Sequence, residues 1–375
     1  MKAGIGFSML PDAAQAGREA AAAAVAQSGP PKLTIVFSTN SYPPDALLPA
    51  IRRHTGDTPL VGFCCGGVLA QDTCHTRGVG ICTLAGSLEA ATALETGLDR
   101  DPFAAGQRTA AALLETDASE GTAIVLPDGF CDNLPEMLNG LYSVAPHLQY
   151  LGGGAGDNMK FFATCQFTER GHATQAVAAA ILRNVAIATR IGHGWTPIGD
   201  PLVINRTQGK QVFEINSIPA FQAYQRQLGP MTPEDFQVMA MRHPLGFPDI
   251  HGNYMIRDPL TVDADQSIRF VTEIPVQAVG IIMEGPIENL IGMAARTAGD
   301  AMAALARPRV LLLFNCISRA LLMGKRFPEE LRAIRKAAGP DIPILGALTF
   351  GEIYAVERPP LIHNKTLVAV AMGQS

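Results

Sequence analysis

Cys316, Arg319, Glu352, His363 and Asn364 are the side chains of this sequence best suited to chemistry by type and spacing. Cys316 and Arg319 follow the apolar run Val310-Leu311-Leu312-Leu313-Phe314, which reads as a buried strand. Both are therefore expected at the carboxyl end of a sheet strand, where open α/β sheets bind ligands. An arginine there offers a planar charged fork that matches a carboxylate, as an amino acid or organic acid presents. The alternative is structural: Cys316 is a small buried hydrophobe and Arg319 pairs with a core acid. Gly351-Glu352 closes the next strand and His363-Asn364 opens a later one. If these segments are neighbours, Glu352, His363 and Asn364 face Cys316 across one cleft. A thiol with a base and an orienter is a nucleophile arrangement, so a thiol-dependent enzyme using Cys316 is one reading. Such catalysis requires hydrogen-bond geometry that residue order does not supply, and polar contact with a ligand is the expectation here.

Gly152-Gly153-Gly154-Ala155-Gly156-Asp157-Asn158 has the look of a phosphate cradle, but it lacks the Lys and Ser/Thr of a P-loop. No helix signal follows to offer its amino end to a phosphate. A sharp turn that lets backbone approach a ligand or another strand fits better, with Asp157 and Asn158 as polar ligand contacts. Cys64, Cys65, Cys74, His75 and Cys82 match neither a zinc ribbon nor a finger, and adjacent Cys64 and Cys65 point opposite ways on an extended chain. No metal is expected.

The elements that carry these residues recur. Thr34 to Ser38, a helix around Leu47 to His54, and Pro59 to Gly62 form one strand-helix-strand unit ending in glycines. Ala123 to Pro127, a helix from Asn133 to Val144, and Leu148 to Gly152 form a second. Val310 to Asn315, a helix from Glu329 to Ala338, and Ile342 to Gly346 form a third. Before the first unit we expect a helix from Asp12 to Ala26 capped by Asp12, and between the first and second a helix from Asp99 to Glu115 with the apolar face Phe103, Ala110, Leu113 and Leu114. Strands are expected at Phe161 to Phe167, Ala176 to Leu182 and Val185 to Thr189, then a turn-rich run from Gly192 to Gly199. Thr232-Pro233-Glu234-Asp235 is a strong helix start.

At 375 residues the chain is too long for one ordinary core, which predicts an α/β protein of two domains with mixed sheets flanked by helices, and a run of turn residues followed by a fresh helix signal divides it into 1–215 and 216–375. A net charge of −5 without a basic stripe argues against nucleic-acid binding. The apolar runs stop short of a membrane span, and Pro11-Asp12 and Arg18-Glu19 interrupt the amino-terminal stretch that superficially resembles a secretion signal. Seven scattered cysteines predict reduced thiols, and the expected location is the cytoplasm.

The ordered motifs then resemble the FIST family, found in bacterial signalling proteins and eukaryotic F-box proteins. In the first half they are Val36-Phe37-Ser38, Val61-Gly62 with Gly66-Gly67, Gly153 to Asp157, and His193-Gly194-Trp195 with Pro197-Ile198-Gly199. In the second they are His243-Pro244-Leu245-Gly246, Tyr254-Met255-Ile256-Arg257, Phe314 to Arg319, Phe350-Gly351-Glu352-Ile353 and His363-Asn364-Lys365-Thr366. The resemblance implies a ligand-sensing module for a small, anionic or zwitterionic, amino-acid-like molecule, with Arg257 added to the site. It also implies an alternative, a haem-binding nitric oxide sensor, for which His193, His243 and His363 are the candidate axial ligands. No Cys-x-x-Cys-His attachment is present, and the expectation is no cofactor. Because no kinase, cyclase, chemoreceptor or F-box segment accompanies these motifs, output through a signalling partner or a homo-oligomer is expected.

Overall fold

The structure is a computed structural model and describes residues 1–114, 120–249, 252–355 and 359–374. Each expected repeat is a parallel strand pair joined by a helix. The first is Leu33–Ser38, Pro44–Thr55 and Leu60–Cys64. The second is Thr122–Pro127, Leu134–Val144 and Gln149–Gly153. The third is Arg307–Cys316, Phe327–Ala338 and Ile344–Thr349, with a short helix Ile317–Met323 between the first strand and the longer helix. The pairs do not share a sheet; each is the centre of its own six-stranded sheet.

These three sheets are built alike and exchange parts in a ring. Beside each parallel pair lies an antiparallel return strand, Val79–Ala85, Ala176–Arg183 or Leu367–Gln374. Beyond it lies the strand that opened the unit, Lys2–Ser8, Glu89–Thr96 or Ala186–Gly192. The other side of each sheet is completed by a hairpin from a different unit. The first unit's Val68–Ala70 and Thr73–His75 join the third sheet, and the third unit's Glu352–Ala355 and Leu361–His363 join the second. The second unit's Gln166–Thr168 and Gly171–Ala173 close the ring on the first sheet. The result is a pseudo-threefold arrangement in which Thr39, Asp128 and Cys316 are equivalent. Their N–H groups donate to Gly78 O, Ala176 O and Thr366 O at 3.0, 2.9 and 3.0 Å.

Alternation along the strands explains the layers. Leu33, Ile35 and Phe37, Ile124 and Leu126, and Val310, Leu312 and Phe314 point inward and meet in one core drawn from all three sheets. The outward residues pack under helices, for example Val36 under the alanine-rich helix Ala13–Ser28, which Asp12 caps through Gln15 N at 2.8 Å. Gly152 shows why each second strand carries a glycine: a Cβ there would lie 2.0 Å from Val125 O on the parallel neighbour. After these glycines the chain crosses to the next sheet, and the three crossings lock together. Gly66 N–H donates to Leu348 O, Gly156 N–H to Cys64 O and Phe350 N–H to Gly154 O, each at 3.0 Å.

The third unit is interrupted after Ala186–Gly192. An antiparallel eight-stranded sheet with helices Ala220–Leu228 and Pro233–Arg242 is inserted there, and the helix Ile287–Ala303 resumes the unit. Thr232 and Asp235 form a reciprocal capping box at the head of the second inserted helix. The expected division after Ile215 falls at the Asn216-Ser217 turn inside this sheet, between Gln211–Ile215 and Ile218–Pro219. The molecule is mixed α/β as expected, with strands of both halves interleaved in the second and third sheets.

Three local expectations are corrected. Only Gln166–Thr168 of the Phe161 to Phe167 stretch is strand, because the Asp157 carboxylate draws in the N–H groups of Phe161, Phe162 and Ala163 at 2.8, 2.7 and 3.1 Å. The Asp99 to Glu115 helix begins at Pro102, with the Asp101 carboxylate accepting Ala104 N–H, and it buries Ala105, Gly106 and Thr109 while Phe103 stays exposed; Glu115 lies outside the described residues. The Gly192 to Gly199 run is not all turn, since Thr196–Gln208 pairs with Val279–Glu284.

Candidate functional site

The residues singled out in the second half converge, but on a buried hub. Cys316 ends its strand and stands at the cap of helix Ile317–Met323, with Sγ 3.1 Å from Ser318 Oγ. Glu352 is fully buried and directly opposite His363 in the donated hairpin. Its carboxylate accepts from Thr349 Oγ1 at 2.9 Å and from Thr366 Oγ1 and N at 2.8 and 3.2 Å. Burial pushes Glu352 up to about 8, against the pull of these donors. Burial pushes the Cys316 thiol up to about 12, and the neighbouring Glu352 charge adds to this. A chain of contacts continues outward: Ser318 hydrogen-bonds Asp258, and Asp258 Oδ1 lies 3.0 Å from Lys365 Nζ. Lys365 also donates to Met241 O at 2.9 Å and lies 5.3 Å from the centre of the Trp195 ring.

Arg319 is fully buried; protein groups meet both of its Nη nitrogens, while Nε is buried without a hydrogen-bond partner. Nη1 donates to His193 O at 2.7 Å and Lys365 O at 3.3 Å; Nη2 donates to Leu290 O at 3.1 Å and Glu330 Oε2 at 2.5 Å. Arg257 donates to Ile256 O and Ile362 O, and burial lowers it to about 10. Asn364 Oδ1 accepts from Thr272 Oγ1 at 2.9 Å. Of this group, Gly351 and Asn364 line a narrow crevice of about 20 Å³ between the second unit and the inserted sheet. Asp157 and Asn158 sit apart, in the second unit's crossing. Asp157 anchors the loop described above, and Asn158 Nδ2 donates to Thr76 O at 3.0 Å.

The open space lies at the second unit. A cavity of about 580 Å³ sits at the carboxyl end of Thr122–Pro127, walled by Asp99, Arg100, Asp128, Phe130, Asp132 and Phe162. Asp128, the equivalent of Cys316, is 5% exposed and accepts from Phe130 N at 3.0 Å and Gln175 N at 3.2 Å, so it shapes the cavity floor. Asp157 shapes the opposite wall through Phe162 and Ala163. Sequence reasoning passed over Asp128 to Asn133, although their signal is visible: polar and turn residues directly after a buried strand. A second, shallower groove of about 510 Å³ runs between helix Pro44–Thr55 and the Gly171–Ala173 edge strand. Cys131, half-buried, lines both the larger cavity and the crevice.

Among the described residues no group of three or more His, Cys, Asp or Glu is placed to hold a metal ion. Neither of the two larger cavities is lined by His193, His243 or His363. His193 Nδ1 accepts Trp195 N–H at 2.9 Å, and burial, reinforced by Arg319, lowers this imidazole to about 4. These histidines do not fit an axial position at either cavity. No helix among the described residues is long and apolar enough to cross a membrane.

A family model for the FIST N domain matches residues 32–218, and one for the FIST C domain matches residues 220–355. The chain belongs to the FIST family. FIST domains are associated with signal transduction and small-ligand sensing. Two relatives from Mycobacterium tuberculosis align over 98% of this chain and 98% of their own length at 23% identity. They are Uncharacterized protein MT0656 of strain CDC 1551 / Oshkosh and Uncharacterized protein Rv0628c of strain ATCC 25618 / H37Rv. Among solved structures, PurLQS from Thermotoga maritima (10% identity, TM-score 0.22) covers 100% of this FIST chain and 72% of its own. T. maritima PurL complexed with ADP (10%, TM-score 0.23) covers 99% and 71%. Scores this low carry no argument.

Proposed function

We propose that this FIST protein senses a small zwitterionic, amino-acid-like ligand in the cavity at the second unit and passes the signal to a partner protein. The observation that carries the reading is the cavity's wall: the guanidinium-bearing Arg100 and the acids Asp99 and Asp132 stand around one space of about 580 Å³ with the rings of Phe130 and Phe162. An α-carboxylate suits the planar fork of an arginine, an ammonium suits a carboxylate, and the rings favour an apolar side chain. Its place at the carboxyl end of a parallel pair agrees with where α/β sheets bind ligands. The buried hub around Cys316 then serves as the rigid support of the neighbouring unit.

A thermal-shift panel of amino acids, organic acids, nucleotides and haemin tests this. A ligand at about one hundred times its dissociation constant adds roughly 2.7 kcal/mol, a shift of several degrees. The expected result is a shift with one or more amino acids that Arg100→Gln abolishes. A response confined to nucleotides or haemin, or an amino-acid shift untouched by Arg100→Gln, removes the proposal.

A further inference from the structure

Lys210 belongs to the inserted sheet, yet its Nζ lies 2.5 Å from Oδ1 of Asp132 on the cavity wall. It sits in the turn between Thr196–Gln208 and Gln211–Ile215, and its carbonyl accepts Phe270 N–H at 2.8 Å, so its backbone is fixed to the strand that leads to Glu273. Glu273 makes a second contact with the same wall: its Oε1 accepts Asn133 N–H at 3.3 Å. Asp132 and Asn133 line the cavity, Asn133 also lines the crevice, and Lys210 and Glu273 close the crevice from the other side. The wall segment is thus held on one side by the inserted sheet and open on the other to the cavity.

We infer that Lys210 holds the Asp132 carboxylate from the crevice side of the wall, and that a ligand ammonium taking Asp132 from the cavity side displaces it and loosens the inserted sheet from the wall. This rests on the proposed ligand class. The Asp132 side chain is 77% exposed and that of Lys210 26%, so the pair is a surface one of small net strength. A weak pair is what such a competition requires, because a ligand cannot shift an equilibrium by more than its differential affinity for the two states. The Asn133–Glu273 contact transmits the change, since Asn133 follows Asp132 and Glu273 precedes Ile274, whose N–H donates to Gly209 O beside Lys210.

Hydrogen exchange followed by mass spectrometry on the full chain tests it, using an equimolar mixture of the proteinogenic L-amino acids as the probe. Without probe, Lys210→Gln is expected to raise exchange at residues 207–212 and 271–274, and Lys210→Arg to restore the wild-type pattern. With probe, wild type is expected to gain protection at residues 98–102 and 128–133 and to lose it at 207–212. Lys210→Gln is expected to bind the probe about two- to fivefold more tightly. Protection of the cavity with no change at 207–212 overturns this inference and leaves the proposed function standing. No protection anywhere overturns both, and unchanged exchange in Lys210→Gln removes the contact as a restraint whatever the probe does.

Discussion

The ring of Phe350 lies against the Cα of Gly156, where a Cβ would stand 1.9 Å from Cε2. The relationship is a break in the pseudo-threefold pattern: the positions equivalent to Phe350 in the other two crossings are Gly66 and Gly156, and their bareness makes room for one ring. Phe130 and Phe161 hold that ring edge-on at 5.1 and 5.7 Å between centres. Gly156→Ala is therefore expected to cost about 1–3 kcal/mol through overpacking. In a Phe350→Ala background the same change is expected to cost close to nothing. Urea denaturation of the two single variants and the double variant gives the coupling directly, and equal costs in both backgrounds would contradict it.

The Arg319–Glu330 pair has no solvent exposure on either side chain. Removing one member leaves a buried charge without its counterion, so Arg319→Met is expected to destabilise the fold by about 3–5 kcal/mol. Arg319→Lys is expected to fall well short of rescue, because the guanidinium serves four acceptors, His193 O and Lys365 O through Nη1 and Leu290 O and Glu330 through Nη2, and an ammonium has three donors on one nitrogen. Denaturant midpoints for both variants decide this.

Glu352 sets a pH dependence whose sign follows from its raised value. The folded protein holds the Glu352 proton up to about 8, whereas the unfolded chain releases it near 4.5. Between those values the native state binds more protons, so this group's contribution is full below about 4.5 and is lost as pH rises through about 8. Glu352→Gln removes the titration. The stability of wild type relative to Glu352→Gln is expected to fall with rising pH over that window, by at most about 1.4 kcal/mol per unit. A flat or rising difference would show that Glu352 is ionised in the folded state.

Alkylation separates the thiols. Cys316 is 5% exposed within the hub, whereas Cys131 is half-buried on the cavity wall. Burial raises both to about 12, so access decides the order. Iodoacetamide on the native protein is expected to modify Cys131 well before Cys316, with peptide mass spectrometry as the readout. Early labelling of Cys316 would reveal an opening of the hub that the packing does not show.

Much of the scaffold was legible in the chain. The apolar runs, their spacing and the glycines at Gly62, Gly152 and Gly346 are local signals, and all three strand-helix-strand units form. The grouping of Glu352 with His363 was legible too, because a strand pair separated by a short loop tends to be antiparallel. What sequence could not reveal is long-range exchange: nothing in Val68-Leu69-Ala70 announces a partner in Ile344–Thr349. The same limit explains Asp132 and Lys210, whose pairing depends on how the inserted sheet docks. The structural alternative for Arg319, a paired core acid, was readable as a chemical type, but Glu330 as that acid emerges only when helix Phe327–Ala338 packs on its sheet.

The ring of donated hairpins bears on how the protein is made. Leu69 waits for Gly346 before its edge is covered. At roughly 5–20 residues per second of synthesis, that strand edge stays unpaired on the order of tens of seconds, until Ile344–Thr349 has been made. The last strand, Leu367–Gln374, then closes the third sheet between two strands already made. An amino-terminal half of this molecule thus cannot complete its strand pairing before the rest appears, and the nascent form presents an open strand edge until Ile344–Thr349 emerges.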